Sequence, residues 1–399
     1  MAKPVAATFV KSLQAALGYW QRRLNEAAPK ELDAERHNLY RAVQFGLQHP
    51  ETRTAAAELA TSAFSFVFAR GYWQEWLRVM EQAAAVAAEL PALSRFWLLT
   101  RLGNLRRLNR HLDAALDVHR EALVLSQQMG EPLLLAEAHY HLGRALRAVR
   151  RYQEAQAQLQ AAETLLAQNG GEGAARLAVL TNNALGRVAH DRGQLDEAQI
   201  FLERAVAYAR EHCDPSLLAD QLHDLGNVHR DTGKYEEALA KYEEALSLLE
   251  DSGQRLNRIL IQRSAGVLHF ARQAYSQAEV VFRHIDRPFL HETGNLYQEA
   301  IILVSLGNAV LYQERYQEAV QTLADSVAIW RQLEDEVELA NAVGSLGEAL
   351  AGLGQKEDAC AAFEEALALL SEYLDNPRAR RLWMLFTGEH KKVAGRKEA

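Results

Sequence analysis

Between residues 225 and 246 the chain reads LGNVHRDTGKYEEALAKYEEAL, a polar glycine break flanked by segments with apolar positions at helical spacing. Leu239, Tyr242, Ala245 and Leu246 share one face of the second segment, so the stretch predicts two short helices joined by a turn. The pattern returns. Gly226 is followed twelve residues later by Ala238, and the same pairing occurs at Gly103/Ala115, Gly143/Ala155, Gly186/Ala198, Gly266/Ala278, Gly307/Ala319 and Gly347/Ala359. Successive glycines lie 40, 43, 40, 40, 41 and 40 residues apart, each preceded by leucine except at Ala265. Only 23 of 399 residues are glycine, so seven in register is not coincidence, and a period of this size means a solenoid.

A glycine inside a helix costs about 0.5–1 kcal/mol relative to alanine, so its retention calls for a packing reason. The absent side chain lets a second helix, the one carrying the alanine, approach closely. Turns such as DRGQLDEA (191–198), DTGKYEEA (231–238) and GLGQKEDA (352–359) separate the two helices. One such pair cannot bury its apolar face alone, whereas stacked pairs build a continuous core.

Composition narrows the picture. Apolar residues make up 49% of the chain and charged residues 24%, with eight prolines and no Ser/Gly-rich linker. A formal charge of −8 and a pI near 6.0 give no overall attraction to nucleic acid or anionic lipid. The stretch AIILVSLGNAVLY (300–312) is too short to cross a bilayer, and the N-terminus lacks the apolar core of a secretory signal. Two cysteines, Cys213 and Cys360, make no disulfide framework, and a reduced cytoplasmic setting is expected.

The repeat resembles the tetratricopeptide repeat (TPR), whose signature adds a later small residue: here Ala122, Ala162, Ala205, Ala245 and Ala366, replaced by Ile285 and Ser326 in two units. The resemblance covers residues 93–373 and implies an all-α, right-handed TPR-like superhelical solenoid of about 40-residue helix pairs. It speaks to the fold and leaves the function open. Upstream, residues 51–92 read as a degenerate pair around Gly71, with Trp76 where the second-helix alanine belongs, and residues 1–50 as a helical arm. The pattern Glu35, Asn38, Leu39, Ala42, followed by the aromatic-rich pair around Gly71, resembles the arm of STAND proteins, bacterial signal-transduction NTPases with numerous domains. In the maltose-regulon activator and antibiotic-regulator types, such an arm follows NTPase and winged-helix domains and leads into a TPR-type sensor. The resemblance therefore implies a sensor that binds an inducer (small molecule, peptide or protein) and relays it to an NTPase module.

The chain has no G-x4-G-K-[ST] phosphate loop. Gly233-Lys234 is a repeat turn, and GGEGAAR (170–176) reads as an insertion in the 43-residue repeat. HETGN (291–295) lacks the second histidine of a zinc motif, and no G-x-S-x-G elbow occurs. His139 and His141 are two apart on a helix and fall on different faces. No metal, cofactor or catalytic group is indicated, so a non-enzymatic protein is expected.

A binding surface is easier to place. The resemblance implies that first helices line the concave face. Positions −3, +1 and +4 from each glycine share one stripe. In the first four repeats they are Thr100/Asn104/Arg107, Tyr140/Arg144/Arg147, Asn183/Arg187/His190 and His223/Asn227/Arg230. In the last three they are Arg263/Val267/Phe270, Val304/Asn308/Leu311 and Gly344/Glu348/Ala351, so the groove is expected to change from basic and amide-rich to apolar. Arginine forks suit carboxylates and phosphates, and asparagine amides can hold an extended peptide. The same arginines could instead pair with Asp191, Asp220, Asp224 and Asp231. At the end, residues 374–399 read as a capping helix with a basic tail, solvated rather than bound to nucleic acid. The alternative to a sensor is a free-standing TPR scaffold recognising partner peptides.

Overall fold

The computed structural model describes residues 2–27, 29–169, 172–250 and 252–395, and every regular element among them is helical. They fall into two compact units, residues 1–258 and 259–399. No helix of the described residues is long and apolar enough to cross a membrane.

In the first unit, α1 (Ala2–Glu26), α2 (Pro29–Gln48), α3 (Arg53–Ser62), α4 (Phe64–Arg70) and α5 (Trp73–Ala84) precede four antiparallel pairs. These are α6/α7 (Ala92–Leu108, Leu112–Met129), α8/α9 (Pro132–Ala148, Tyr152–Gln168), α10/α11 (Glu172–Asp191, Leu195–His212) and α12/α13 (Pro215–Asp231, Tyr235–Leu248). Pro132 and Pro215 sit in first turns, where a missing N–H costs nothing, and Asp214 accepts the Leu217 amide at 3.0 Å. The second unit begins inside α14 (Arg255–Ala271), which pairs with α15 (Tyr275–Arg283), and continues with the short α16 (Arg287–Glu292), α17/α18 (Leu296–Leu311, Tyr316–Leu333), α19/α20 (Glu336–Gly352, Lys356–Ser371) and α21 (Pro377–Val393).

The glycines do let paired helices nest. A Cβ built on Gly143, Gly226 or Gly307 would lie 2.6–2.7 Å from Leu159, Tyr242 or Leu323, in each case the side chain sixteen residues on. The alanines at +12 are completely buried. At +7 every pair turns through a left-handed residue: Gly193, Gly233 and Gly354, but also Arg110, Arg150, Gln273 and Glu314, with φ between 60° and 79°. Gly71 (φ 79°) is the same turn, which puts Phe64 and Trp76 in the glycine and alanine places of the preceding pair. Both are buried, and their bulk fills the space through which other pairs nest. The first helix of that pair is broken at Ala63 into α3 and α4.

Two details depart from the simple repeat. Gly173 already lies inside α10, while Gly170 and Gly171 of the glycine-rich stretch are outside the described residues. After α15 the chain inserts α16, which the repeat pattern does not anticipate; Asp286 caps it through the Phe289 amide, and Pro288 stands in its first turn.

Within the first unit, one side chain joins distant segments. Buried Arg70 pairs with Asp33 of α2, donating from Nε to Oδ1 at 2.9 Å, and Tyr72 donates to the same oxygen at 2.9 Å. Arg70 Nη1 also donates to the Gly253 carbonyl at 2.6 Å, 183 residues further along, in the turn after α13.

Candidate ligand-binding groove

The first helix of each of the four pairs α6–α13 carries the stripe residues, and all four pairs lie in the first unit. Three of the basic stripe residues meet an acid on the next repeat. Arg147 Nε lies 2.7 Å from Asp191, His190 Nε2 lies 2.7 Å from Asp231, and Arg187 lies 3.6 Å from Asp224. Asn183 Nδ2 donates to Asp224 at 2.9 Å. Arg230 Nε donates to its neighbour Asp231 at 2.8 Å. Asn227 Oδ1 accepts from the Tyr242 hydroxyl at 2.8 Å, and the His223 and Tyr242 ring centroids are 5.9 Å apart. Asp220 accepts from Asn257 at 2.8 Å.

Arg107 and Arg144 break the series. Neither has a carboxylate partner among the described residues, and the Arg107 Nε is buried without a hydrogen bond. Register explains this. The acid that meets a +4 residue stands at +5 of the next repeat, as Asp191 and Asp231 do; for Arg107 that place is held by Ala148. The acid that meets a +1 residue stands at −2 of the next repeat, as Asp224 does; for Arg144 that place is held by Ala184. Arg144 lies instead over the Tyr140 ring, 5.2 Å from its centroid. Tyr140 is buried, in edge contact with His141 at 4.8 Å, so it acts as a platform. Asn104 is buried with an unpartnered Oδ1.

The electrostatics follow from this placement. Burial, then repulsion from Arg144, Arg187 and Arg147, pulls the Arg107 guanidinium well below its ordinary pKa. Arg147 falls to about 10 through burial and Arg187, partly offset by Asp191. Burial and Asp224 push Asp220 up to about 7. Asp224 goes the other way: burial acts to raise it, but Arg187, His223 and Asn183 outweigh burial. Asp231 drops to about 2 because His190 and Arg230 overcome burial. Arg187 keeps 42% of its side chain accessible although other side chains crowd it, as on the floor of a trough, so its pairing is screened. The trough thus contains two crowded, unneutralised guanidinium groups beside neutralised ones, an arrangement that favours an entering anion.

A separate cleft of about 750 Å³ borders α1, α3 and α6. Its arginine, Arg101, is engaged by the rings of Phe64 and Trp97 at 4.8 and 4.9 Å, and Glu58 accepts from Ser94 at 2.9 Å. The uncompensated charge lies in the stripe, which is therefore the better candidate. Among the described residues no group of three or more His, Cys, Asp or Glu is arranged to hold a metal.

Tetratricopeptide-repeat family profiles match residues 218–285 and 298–372, and a second profile of that name matches residues 181–212. The chain therefore contains tetratricopeptide repeats. No curated protein matches its sequence. Among solved structures, it is similar to a Signal Transduction ATPase with Numerous Domains carrying a tetratricopeptide repeat sensor, from Pyrococcus horikoshii, with TM-score 0.59 and 13% identity. That similarity covers 88% of this chain and 55% of that one, so this chain spans about half its length. It is also similar to the apo quorum sensor NprR from B. thuringiensis, with TM-score 0.53 and 16% identity over 90% of this chain and 99% of that one. A Rap protein complexed with Competence and Sporulation Factor gives TM-score 0.55 and 13% identity over 86% and 100%. At these identities the likeness is one of fold.

Proposed function

We propose that the chain is a non-enzymatic sensor module that captures an anionic inducer, a peptide or small molecule with a carboxylate or phosphate, in the groove of its first unit. Arg107 and Arg144 are the primary anchors, Asn104 supplies a further polar group, and Arg147 and Arg187 border them. The observation that carries this reading is the register break that leaves Arg107 and Arg144 without acids where later repeats have them. Each charge-assisted hydrogen bond contributes about 1.5–3 kcal/mol, so two anchors suffice for selective capture. In a STAND-type regulator the bound ligand would shift an NTPase module by its differential affinity for two states. The similar protein with NTPase and sensor in one chain supports that context.

A free-standing regulator is the second reading. It is favoured by the likeness to NprR and the Rap protein, which spans 99% and 100% of those chains.

Native mass spectrometry of the chain against cell extract, followed by thermal shift with the recovered species, tests the reading. The expected result is a bound acidic species that Arg107→Ala and Arg144→Ala each lose. Recovery of no acidic species, or equal retention of the acidic species by both variants, overturns it.

A further inference from the structure

In the second unit the stripe opens on Arg263, which donates to Gln298 at 2.9 Å, and beyond it turns aromatic and acceptor-rich. Phe270, Tyr275 and Tyr312 form an aromatic cluster: Tyr275 and Tyr312 stack at 5.0 Å, and Phe270 meets them edge-on at 5.2 and 5.4 Å. Tyr312 leaves 53% of its surface open to solvent. Beside this cluster stands Glu348, at +1 of the seventh repeat, with no hydrogen bond or ion pair among the described residues. The charged groups that act on it are Glu389, already joined to Lys392 at 2.8 Å, and Lys392 itself. Burial and Glu389 push the Glu348 carboxyl up to about 7, and burial and Glu348 together raise the Tyr312 hydroxyl. Asn308 holds the same +1 place one repeat earlier, and its Oδ1 is buried without a donor.

An exposed aromatic stack, an unpaired carboxylate and an orphaned amide oxygen are all electron-rich, and among the described residues Lys392 is the cation that acts on Glu348. Aromatic faces attract cations through their quadrupole, and a partly desolvated carboxylate holds an ammonium more strongly than one in water. Two acceptors and a π face suit a group with several diverging N–H donors.

We infer that this end of the second unit binds an organic ammonium group, of a lysine-bearing peptide or a small primary amine, set against Tyr312 and accepted by Glu348 and the Asn308 oxygen. This site stands independently of the arginine groove.

The test is a chemical-shift titration of the full chain with three probes: acetyl-Gly-Lys-Gly-amide, the same peptide acetylated on Nζ, and n-butylammonium. The charged peptide is expected to bind and the acetylated one to bind at least about tenfold more weakly. Equal binding of butylammonium assigns the site to the ammonium alone; tighter peptide binding assigns it to a peptide. Glu348→Gln should weaken the charged peptide about tenfold and Tyr312→Leu about two- to fivefold, while Arg144→Ala leaves it unchanged. Tyr312 is half exposed and Glu348→Gln is isosteric, so folding is not at stake. Equal binding of the charged and acetylated peptides, binding of neither charged probe, or unchanged affinity in Glu348→Gln overturns the proposal.

Discussion

The imidazole of His119 closes over Gly103: a Cβ on that glycine would lie 2.6 Å from the ring. Other repeats place Leu159, Leu202, Tyr242, Phe282, Leu323 or Phe363 there. His119 stacks on His141 at 5.7 Å, and both its ring nitrogens are buried without partners. Burial, then His141, Arg107 and Arg144, hold its pKa well below the ordinary value; His141 is also lowered by burial, despite Glu137. Both rings are therefore neutral in the fold, whereas the unfolded chain takes up protons near pH 6.5. Stability is fully present above about pH 6.5 and declines as pH falls below it. Denaturation from pH 8 to 5 should show that decline, and His119→Leu should reduce it while adding about 1–2 kcal/mol at neutral pH. A parallel pH profile in the variant would contradict this.

The nesting glycines give a graded packing test. Gly226→Ala should cost about 1–3 kcal/mol, because the new methyl meets Tyr242 at 2.6 Å and the Ala238 carbonyl at 3.3 Å. Gly388→Ala in α21 is the control: nothing lies within 4 Å of its Cβ, so helix propensity alone acts and stability rises by about 0.5–1 kcal/mol. Urea titration of the two variants measures the contrast.

The turns make an opposite forecast. Gln273 and Glu314 are exposed and hold left-handed φ of 60° and 61°, where Gly193, Gly233 and Gly354 stand in other repeats. An L side chain there costs about 1–2 kcal/mol. Gln273→Gly and Glu314→Gly should each raise stability by about 0.5–1 kcal/mol, and Gly233→Ala should lower it. Melting temperatures that move the other way would show that the side chains make compensating contacts.

The broken acid register can be repaired. Ala148→Asp places a carboxylate where Asp191 and Asp231 stand, opposite Arg107. Stability should rise by about 0.5–1 kcal/mol, as for a partly screened pair, while affinity for an anion falls roughly tenfold. Thermal melting with and without inorganic phosphate as probe reads both effects.

Much of the fold is legible in one dimension, because the +12 alanine and the glycine both answer to a single local constraint, helix proximity. The side chain at +16 escapes that reading: His119, Leu159 and Tyr242 share size but no residue type. The turn position at +7 is hidden in the same way by Arg110, Arg150, Gln273 and Glu314. In the groove, the stripe selects the basic residues, yet separating Arg107 and Arg144 from Arg147 and Arg187 requires knowing which position on the next repeat they face. Once that offset is known, Ala148 and Ala184 are visible in the sequence. The aromatic cluster is harder still: Tyr275 and Tyr312 sit just off the stripe and meet only because adjacent turns stack. The stripe positions Val267, Phe270, Val304 and Leu311 are apolar as read, while the tyrosines beside them lie outside that reading. Gly344 is likewise no groove floor, since a side chain there would collide with Phe386 of α21.

Stacks that touch only their neighbours can unzip from either end, one unit at a time. The bond from Arg70 to the Gly253 carbonyl removes that freedom from the first unit. Detaching α2 and α4 together therefore breaks a contact with the turn beyond the fourth pair, and loosening that turn disturbs the Arg70–Asp33 pair. A nominally linear assembly is thereby tied into a loop of mutual dependence, and its melting is expected to be all-or-none where an open stack would dissolve gradually.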